Sequence, residues 1–571
     1  MDLSSKPRNE ERILLLLTVV IGAVVGLVVV AFILLTENLG SRLYPSGVPA
    51  WRRVLIPFSG ALISGFFLAR YFPNARGSGI PQTKTALFLR DGYIAFRTVF
   101  GKFSMSGLAL ASGIALGREG PSVQVGAGIA SVLGRRFGLT PTSIKALVPA
   151  GASAALAAAF NTPIAAVLFS LEEVMGDMNA PVLGSIVLSS ATSWMVLHML
   201  LGDEPLFHVP AYELVSPIEF LWYAVLGIIG GLVSVAFVKG LLWQRKYFLR
   251  IPQSFLWAAP AVGGLVVGLL GWFFPPVLGV GYNYVGQALN GQIAAGMMGL
   301  LACLKLIATS NCYASGNAGG IFGPALYIGA MTGGAVGALA HFVMPHHTAS
   351  VGAYALVGMG AAFAGIIRVP LTSVIMIFET TRDYAIIVPL MISNLVAYFI
   401  SSKLQEEPIY EALVHQDGIH LPLGRHAREA LLMVGNAYRP APLVMNAAET
   451  IQQAAARIPD KTGAWPVAEN GLLRGMLTAR QIEDALQANR GAEPLRNLIP
   501  EPGPIEQLVA ATFPHVHLDH TLDMAMRRMA QSGLEVLPVV SRTNVRELKG
   551  VISFGDILAA YRMGERSDDR R

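Results

Sequence analysis

The carboxylate of Glu119 is the side chain in this sequence best placed to do chemistry. It stands in the run Gly117-Arg118-Glu119-Gly120-Pro121, immediately before an apolar stretch. Proline early in a helix removes only an N–H that would lack a partner anyway, so this run is typical of a helix N-terminus. A carboxylate there is either stabilised by the helix dipole and the free amides, or it lies in the route of another anion that they attract.

Two other glycine-rich breaks run into apolar helices in the same way: Gly77-Ser78-Gly79-Ile80-Pro81 and Gly316-Asn317-Ala318-Gly319-Gly320-Ile321-Phe322-Gly323-Pro324. Each predicts a helix N-terminus with exposed backbone N–H groups and a positive dipole end, and the glycines allow a ligand to approach closely. Partial charges suit a small anion that must also leave, whereas a fixed lysine would hold it too tightly. Together the three breaks predict an anion-binding site.

Glu119 fits such a site in two protonation states. When ionised it would take the place of the anion, and protonation, which desolvation favours, would remove its charge and release it. The alternative is a buried carboxylate in a static pair with Arg118 or Lys102.

The elements that must position these residues are membrane helices. Of 571 residues, 53% are hydrophobic and 14% are charged, against roughly 25% charged in soluble proteins. Ile13–Leu35 runs for 23 residues without a charge, enough to cross a hydrocarbon core of about 30 Å. Further apolar stretches follow as far as residue 402, many of them short or broken by Gly and Pro. The composition argues against a soluble cytoplasmic enzyme, and the short, broken apolar stretches predict a polytopic protein with a built-in polar pathway.

Three sequence blocks recur in order, which predicts an internal repeat. Gly117–Pro121 and Gly320–Pro324 share the pattern GxxGP at an offset of 203 residues. Ala146–Gly151 corresponds to Ala355–Gly360 at an offset of 209 residues. The third pair lies at an offset of 207 and consists of Pro163, Val167 and Glu172 with Pro370, Val374 and Glu379. Two halves, 13–210 and 217–405, with broken helices in matching places indicate a transporter-like fold whose substrate binds between the repeats.

The distribution of charge argues for an anion as the substrate. Residues 120–171 and 220–378 contain no Asp or Glu, whereas a cation pathway normally needs acidic rings or clusters. The net charge of +6 is spread thinly, so no basic face indicates nucleic acid. Cys303 and Cys312 have no further cysteine to pair with elsewhere, and we expect both to be small buried apolar residues rather than a disulfide or a metal site.

In this order and spacing, the motifs GSGIP, GREGP and GGIFGP resemble those of the CLC family of chloride channels and proton-coupled chloride antiporters. The flanks AAAFNTPIAAVLFSLEEV and PLTSVIMIFETT match as well, and the resemblance covers residues 10–415. It implies an all-α polytopic fold with an inverted repeat of short tilted helices. It also implies a homodimer in which each subunit has its own pathway.

The resemblance also assigns the anion site. Ser78 matches the serine whose hydroxyl contacts the central anion, and Ile321 and Phe322 match the positions whose backbone N–H groups do so. Tyr410 resembles the tyrosine that supplies a second hydroxyl, although an interfacial tyrosine remains an alternative. Serine at 78, where nitrate-preferring members carry proline, points to chloride.

The same resemblance assigns the carboxylates. Glu119 matches the gating glutamate, and Glu173 stands where proton-coupled members carry an inner proton-accepting glutamate, which favours Cl⁻/H⁺ antiport. The alternative for Glu173 is a solvated acid at the cytoplasmic end. Glu172 and Glu379 are expected to be structural, paired with cationic or backbone partners.

The C-terminal tail differs in composition from the rest of the chain. Residues 1–420 contain 43 charged side chains, whereas 421–571 contain 35. From about residue 440 a helix, strand, turn, strand, helix unit occurs twice, which resembles a tandem pair of CBS domains in an α/β module. Ser553 and Asp556 fit the pattern by which such domains bind the ribose of an adenine nucleotide. A plain helix N-terminal acid is an equally open reading of Asp556.

These observations predict five segments: a cytoplasmic N-terminus at 1–12, a membrane domain at 13–415, a linker at 416–439, a first CBS domain at 440–500, and a second with the C-terminal tail at 501–571. The basic start, with Lys6, Arg8 and Arg12, favours a cytoplasmic N-terminus and tail. We expect a multi-pass protein of the inner (plasma) membrane, surrounded by the lipid bilayer, that moves chloride and protons, is no enzyme, and requires no cofactor.

Three alternatives remain. A passive voltage- or pH-gated chloride channel would use the same residues. A CBS-containing magnesium transporter would need acidic residues in its membrane part, which the acid-free stretches disfavour. A membrane metalloprotease is disfavoured because the sequence has no HExxH, and His346 and His347 stand as an isolated pair.

Overall fold

The structure is a computed structural model that describes residues 8–45, 47, 49–178, 182–202, 205–207, 209, 212, 214–419, 421, 433–458, 463–499, 513–542 and 544–568, with the backbone alone for 8–12 and 562–568. Contacts divide the chain into two units, Met1–Leu421 and Pro422–Arg571. Parts of the predicted N-terminus (1–7), linker (420 and 422–432) and second CBS domain (501–512) lie outside the described residues.

The first unit is helical. The helices of its first half are α1 (Arg8–Leu43), α2 (Ala50–Arg70), α3 (Ile80–Leu89), α4 (Phe96–Ala111), α5 (Glu119–Arg136), α6 (Pro141–Phe160), α7 (Pro163–Phe169) and α8 (Leu183–Leu201). Those of its second half are α9 (Glu219–Phe248), α10 (Ala259–Phe273), α11 (Tyr282–Leu289), α12 (Ala295–Ala314), α13 (Phe322–Val343), α14 (Val351–Ile367), α15 (Pro370–Thr381) and α16 (Ile387–Leu404), followed by α17 (Ile409–Gln416).

The helices of the two halves correspond one to one in order, from α1 with α9 to α8 with α16. Their packing corresponds too, since α6 packs against α5, α8 and α1 as α14 packs against α13, α16 and α9. The N-termini of α5 and α13 meet at an antiparallel bridge between Gly117 and Gly320. The two halves therefore meet where the glycine-rich breaks lie.

Glycines set how closely the helices approach. A Cβ on Gly126 of α5 would lie 2.3 Å from the carbonyl oxygen of Gly151 in α6. In the second half, a Cβ on Gly329 of α13 would lie 2.4 Å from the carbonyl oxygen of Gly358 in α14. Small residues at such crossings let backbones pack directly, which is how membrane helices gain van der Waals contact without help from water.

Among the described residues, eight helices are long and apolar enough to cross a membrane, and Ala259–Phe273 and Val351–Ile367 are shorter apolar helices. The predicted first span lies inside Ile13–Leu43. Many large apolar side chains face outward, for example Leu16, Phe342 and Met199, as lipid contact requires. The expectation for the cysteines was half wrong: Cys312 is buried but Cys303 is exposed. An apolar stretch alone does not tell which face of a membrane helix meets lipid.

The second unit contains two α/β copies. The first consists of β1 (Met445–Asn446), α19 (Ile451–Arg457), β2 (Ala464–Glu469), β3 (Leu472–Thr478) and α20 (Ala479–Gln487), preceded by α18 (Val434–Ala437). In its sheet β1 is parallel to β2, and β2 is antiparallel to β3. The second consists of α21 (Leu522–Ser532), the antiparallel pair β4 (Val536–Val540) and β5 (Leu548–Ser553), and α22 (Phe554–Asp568).

The two copies contact each other within this unit, since the backbone N–H of Leu473 donates to the carbonyl oxygen of Arg546 at 2.7 Å. The segment before the first copy joins the second, because Arg439 and Val551 exchange a pair of backbone hydrogen bonds. The two copies and the segment that precedes them therefore form one module.

Candidate anion pathway

The three glycine-rich breaks converge in the structure. Gly117 and Gly320 exchange two backbone hydrogen bonds of 2.6 and 2.7 Å, and the N–H of Gly319 donates to the carbonyl oxygen of Gly77 at 3.1 Å. The helices that follow begin at Ile80, Glu119 and Phe322. As predicted, three helix N-termini point their positive ends into one region.

Two of the glycines are required by this convergence. Gly79 has φ +109°, a conformation that other residues rarely adopt, and a Cβ there would lie 2.5 Å from the carbonyl oxygen of Gly120. A Cβ on Gly120 would in turn lie 2.5 Å from the hydroxyl of Ser78. Any larger residue would push the Ser78 hydroxyl away from the junction.

The hydroxyls of Ser78 and Tyr410 are both buried without a hydrogen-bond partner among the described residues. The two side chains lie near each other, because α17, which carries Tyr410, packs against α3, which follows Ser78. Tyr410 is fully buried, so the interfacial-tyrosine alternative is wrong. Buried hydroxyls normally have partners, and two donors without one fit an anion between them.

Ile321 and Phe322 lie at the first turn of α13 and are also fully buried. Within the described part of the chain, neither N–H donates a backbone hydrogen bond. The ring of Phe322 packs against those of Phe160 and Phe363, with centroids 4.8 and 4.2 Å away. The aromatic cluster holds the side chain of Phe322 in place at the start of α13.

Glu119 is fully buried and its carboxylate already occupies this junction. Oε2 accepts a hydrogen bond of 3.2 Å from the N–H of Gly323, and Oε1 accepts one from the hydroxyl of Tyr282. The carboxylate therefore stands at the N-terminus of α13, where the sequence places an anion.

The alternative of a static ion pair for Glu119 is not what the structure contains. The ammonium group of Lys102 donates to the carbonyl oxygens of Ala75 and Gly77 at 3.1 and 2.6 Å. Arg118 pairs with Glu37 at 3.0 Å. Both cations that could neutralise Glu119 are engaged elsewhere.

Glu173 lies in a π-helical turn, Ser170–Met175, and is only 5% exposed. Its Oε1 accepts a hydrogen bond of 2.7 Å from the ammonium group of Lys84, which also lies 3.7 Å from Glu411. The solvated-acid alternative is therefore wrong. Lys84 connects α3, which follows Ser78, with the turn that carries Glu173 and with α17, which carries Tyr410.

Glu172 and Glu379 bind backbone across the repeat, which confirms their structural assignment. Glu172 accepts from the N–H groups of Leu371 and Thr372 at 3.4 and 2.9 Å, at the start of α15. Glu379 accepts from those of Ile164 and Ala165 at 3.0 and 2.7 Å, at the start of α7. Each acid satisfies the free N–H groups of a helix in the other half.

A cavity of about 540 Å³ leads to the backbone of Gly77. Its lining includes Arg76, Arg90 and Arg245, and among its described residues Asp417 alone is acidic. Asp417 is paired with Arg245 at 2.6 Å. The cavity therefore carries a net positive lining that attracts anions towards Gly77, the residue before Ser78.

Sequence reasoning missed Lys84 and Tyr282. Lys84 is the one charged residue between Gly77 and Leu89, and its position inside an apolar helix was the signal. Tyr282 follows Gly279-Val280-Gly281, a fourth glycine-rich break. That break lies at an offset of 202 from Gly77-Ser78-Gly79 and could have been found from the repeat.

In the tail, Ser553 and Asp556 form a capping box at the start of α22, in which the hydroxyl of Ser553 also accepts from the N–H of Asp556 at 3.2 Å. Oδ2 of Asp556 accepts hydrogen bonds from the N–H and hydroxyl of Ser553, at 2.8 and 2.6 Å, and lies 3.1 Å from Nε of Arg439. In the first copy the corresponding cap is made by Thr478 and Gln481. These contacts favour the helix-capping reading of Asp556.

Comparison with known proteins places the chain in a family. The family model described as "Voltage gated chloride channel" matches residues 60–402. The chain belongs to the CLC family. A second family model, described as "CBS domain", matches residues 505–562, so the tail contains a CBS domain.

Relatives and solved structures agree with this placement. The chain is 33% identical over 392 residues to the H(+)/Cl(-) exchange transporter ClcA of Vibrio campbellii, covering 67% of this chain and 83% of that protein. The structure of a slow cyanobacterial Cl⁻/H⁺ antiporter is similar with a TM-score of 0.65 and 28% identity, over 72% of this chain and 99% of that one. That of a eukaryotic CLC transporter shares the fold over 95% of this chain and 97% of its own, at a TM-score of 0.61 and 22% identity.

Proposed function

We propose that this CLC protein exchanges chloride for protons across a membrane. The observation that carries the proposal is the place of the Glu119 carboxylate, which lies on the N–H of Gly323 at the start of α13. A carboxylate in an anion's position competes with chloride when ionised and gives way when protonated. Movement of one ion is then tied to movement of the other.

Chloride binding is proposed at the hydroxyls of Ser78 and Tyr410 and the N–H groups of Ile321 and Phe322. Four donors and a helix dipole stabilise an anion without a fixed positive charge, so binding stays weak enough for release. The cavity beside Arg76 and Arg245 supplies chloride from one side. Ser78 is the proposed determinant for chloride over nitrate.

Protons are proposed to reach Glu119 from Glu173. Ionisable residues inside a membrane are expensive and mark proton or ion routes, and Glu173 is almost completely buried. Its pairing with Lys84 keeps the ionised form available in an apolar setting. This second buried carboxylate favours exchange over a passive channel.

Proton movement in liposomes distinguishes the two functions. A chloride gradient imposed on vesicles that contain the purified protein should drive protons uphill, and Glu173→Gln should abolish this while chloride still moves. Chloride flux without any proton movement in the wild-type protein would leave the passive channel as the function.

The family resemblance supports two further proposals. We infer that the protein is a homodimer with one pathway per subunit in the inner (plasma) membrane. We also infer that the N-terminus and the tail face the cytoplasm, since Lys6, Arg8 and Arg12 precede the first span. Protease cleavage of the tail in right-side-out and inverted vesicles tests the orientation, and cross-linking in lipid tests the dimer.

The tail is proposed to regulate or assemble the transporter. An adenine nucleotide is the candidate ligand, with Ser553 and Asp556 as the contacts. A thermal shift of the full-length protein with ATP tests this, and the absence of any shift would leave Asp556 as a helix cap only.

A further inference from the structure

The fourth glycine-rich break is the second-half counterpart of the break that holds Ser78. Gly279-Val280-Gly281-Tyr282 follows Gly77-Ser78-Gly79-Ile80 at an offset of 202. α11 begins at Tyr282 as α3 begins at Ile80. The residue before each helix is a glycine with positive φ, +87° at Gly281 and +109° at Gly79.

The same buried lysine contact holds both breaks. Lys102 of α4 donates to the carbonyl oxygens of Ala75 and Gly77. Lys305 of α12 donates to those of Val277 and Gly279, at 3.0 and 2.5 Å. Both lysines are fully buried. The backbone ahead of Tyr282 is therefore fixed as firmly as the backbone ahead of Ser78.

The two breaks differ in where they place a hydroxyl. A Cβ on Gly120 would meet the hydroxyl of Ser78, and a Cβ on its counterpart Gly323 would meet the apolar Cγ1 of Val280 at 2.7 Å. The second break therefore offers no hydroxyl at the serine position. Its hydroxyl comes from Tyr282, which donates to Oε1 of Glu119.

The ring of Tyr282 is held by its neighbours. The ring of Phe207 packs edge-on with its centroid 5.8 Å away. The guanidinium of Arg118 lies 5.6 Å from the ring centroid and is fixed by Glu37. Removing the hydroxyl alone leaves these contacts in place.

We propose that Tyr282 is a positioning residue that latches the ionised carboxylate of Glu119 at the N-terminus of α13. The proposal rests on the gating role proposed for Glu119. The anion site is proposed at Ser78 and Tyr410, whereas Tyr282 of α11 holds the carboxylate itself. To leave the junction, Glu119 must break this hydrogen bond. The latch therefore slows transport and demands a lower pH for opening.

The charged and titratable groups around Glu119 are few. Arg118 is its neighbour on the chain, and Arg118 in turn pairs with Glu37 of α1. Tyr410 of α17 is close enough to Glu119 to interact with it electrostatically. α13 contributes the N–H of Gly323. Tyr282 of α11 is the group among these whose hydroxyl donates directly to the carboxylate.

The test is Tyr282→Phe in the full-length protein, with chloride flux measured in liposomes across pH. Flux should rise by about threefold to tenfold. Complete loss of a hydrogen bond to a charged group would have a larger effect, but water replaces part of the interaction in the variant. The pH of half-maximal flux should rise as well. Tyr284→Phe on the same helix is the matched control and should change neither.

A double variant separates the latch from a structural role. In the Glu119→Ala background, Tyr282→Phe should have no further effect on flux. Unchanged flux and pH profile in the single variant, or an equal effect with and without Glu119, would overturn the latch. If the wild-type protein moved no protons, the proposed exchange function would be wrong. The chloride flux of the Tyr282→Phe variants would still show whether Tyr282 latches Glu119.

Discussion

The ammonium group of Lys84 lies 2.7 Å from Oε1 of Glu173, and both side chains are almost completely buried. The pair joins residues 89 positions apart in the sequence. Lys84 belongs to α3, which follows Ser78, and lies 3.7 Å from Glu411 of α17, the helix that carries Tyr410. The proposed proton route and the proposed anion site therefore share one scaffold.

Replacing Lys84 with Met should reduce proton transport while chloride flux persists. Breaking a buried ion pair by removing one partner costs about 3–5 kcal/mol. Glu173 avoids this cost by staying protonated, so it can no longer release a proton. Proton flux should fall by about tenfold for each ~1.4 kcal/mol by which the ionised form of Glu173 is destabilised. The check is the ratio of proton to chloride flux in liposomes. Lys145→Met, which removes a more exposed lysine paired with Asp91 at 3.7 Å, is the control, and an unaltered ratio in Lys84→Met would refute the role.

Replacing Glu119 with Gln should uncouple the two ions. The amide cannot release a proton and carries no charge to compete with chloride, so proton transport should vanish and chloride flux should lose most of its pH dependence. Flux recordings from pH 4 to 8 (about the range over which carboxylates and His titrate) provide the measurement. Glu37→Gln, which removes the exposed partner of Arg118, should keep coupling. Retained coupling in Glu119→Gln would contradict the gate.

Ser78→Pro should shift preference from chloride towards nitrate. Loss of one hydroxyl donor removes about 1–3 kcal/mol of binding to a charged ligand, and the loss falls most heavily on the compact chloride ion. Anion competition in a flux assay measures the preference. Ser78→Ala tests the hydroxyl alone. Ser106→Ala is the control, because it removes another buried hydroxyl that has no hydrogen-bond partner among the described residues. Identical selectivity in all variants would remove Ser78 from the site.

Gly126→Ala should destabilise the membrane unit. Its Cβ would lie 2.3 Å from the carbonyl oxygen of Gly151, so α5 and α6 must separate, at a cost of about 1–3 kcal/mol or more. Thermal unfolding in detergent reports the loss. Gly240→Ala, where a Cβ meets nothing within 4 Å, should be neutral or stabilising by up to about 1 kcal/mol. Equal melting temperatures of the two variants would show that α5 and α6 are not tightly packed at Gly126.

Asp556→Ala should destabilise the second α/β copy by about 1 kcal/mol, because the capping box with Ser553 is lost. Ser553 and Arg439 both lose their acceptor. Hydrogen exchange of β5 and α22 in the full-length protein measures the change. Asp484→Ala is the control because that acid is 68% exposed and lies 4.0 Å from Arg480. Unchanged protection at α22 would argue against the capping role.

The sequence was most informative where local rules apply. Proline and glycine around Glu119 mark a helix start whatever surrounds them, so α3, α5 and α13 begin where predicted. Lys84 escaped notice because its partner is far away in sequence, and Tyr282 because valine replaces serine in its break. Cys303 was placed on the wrong face of its helix, since lipid and protein interior are equally apolar and hydropathy cannot separate them.

The reciprocal bonds of Glu172 and Glu379 have a consequence for how the chain is assembled. Either half synthesised alone would expose two amides of a short helix to hydrocarbon, where no water is available to satisfy them. The duplicated halves are thus mutually dependent, and cutting the chain between residues 210 and 217 should yield fragments that function only when they are made together.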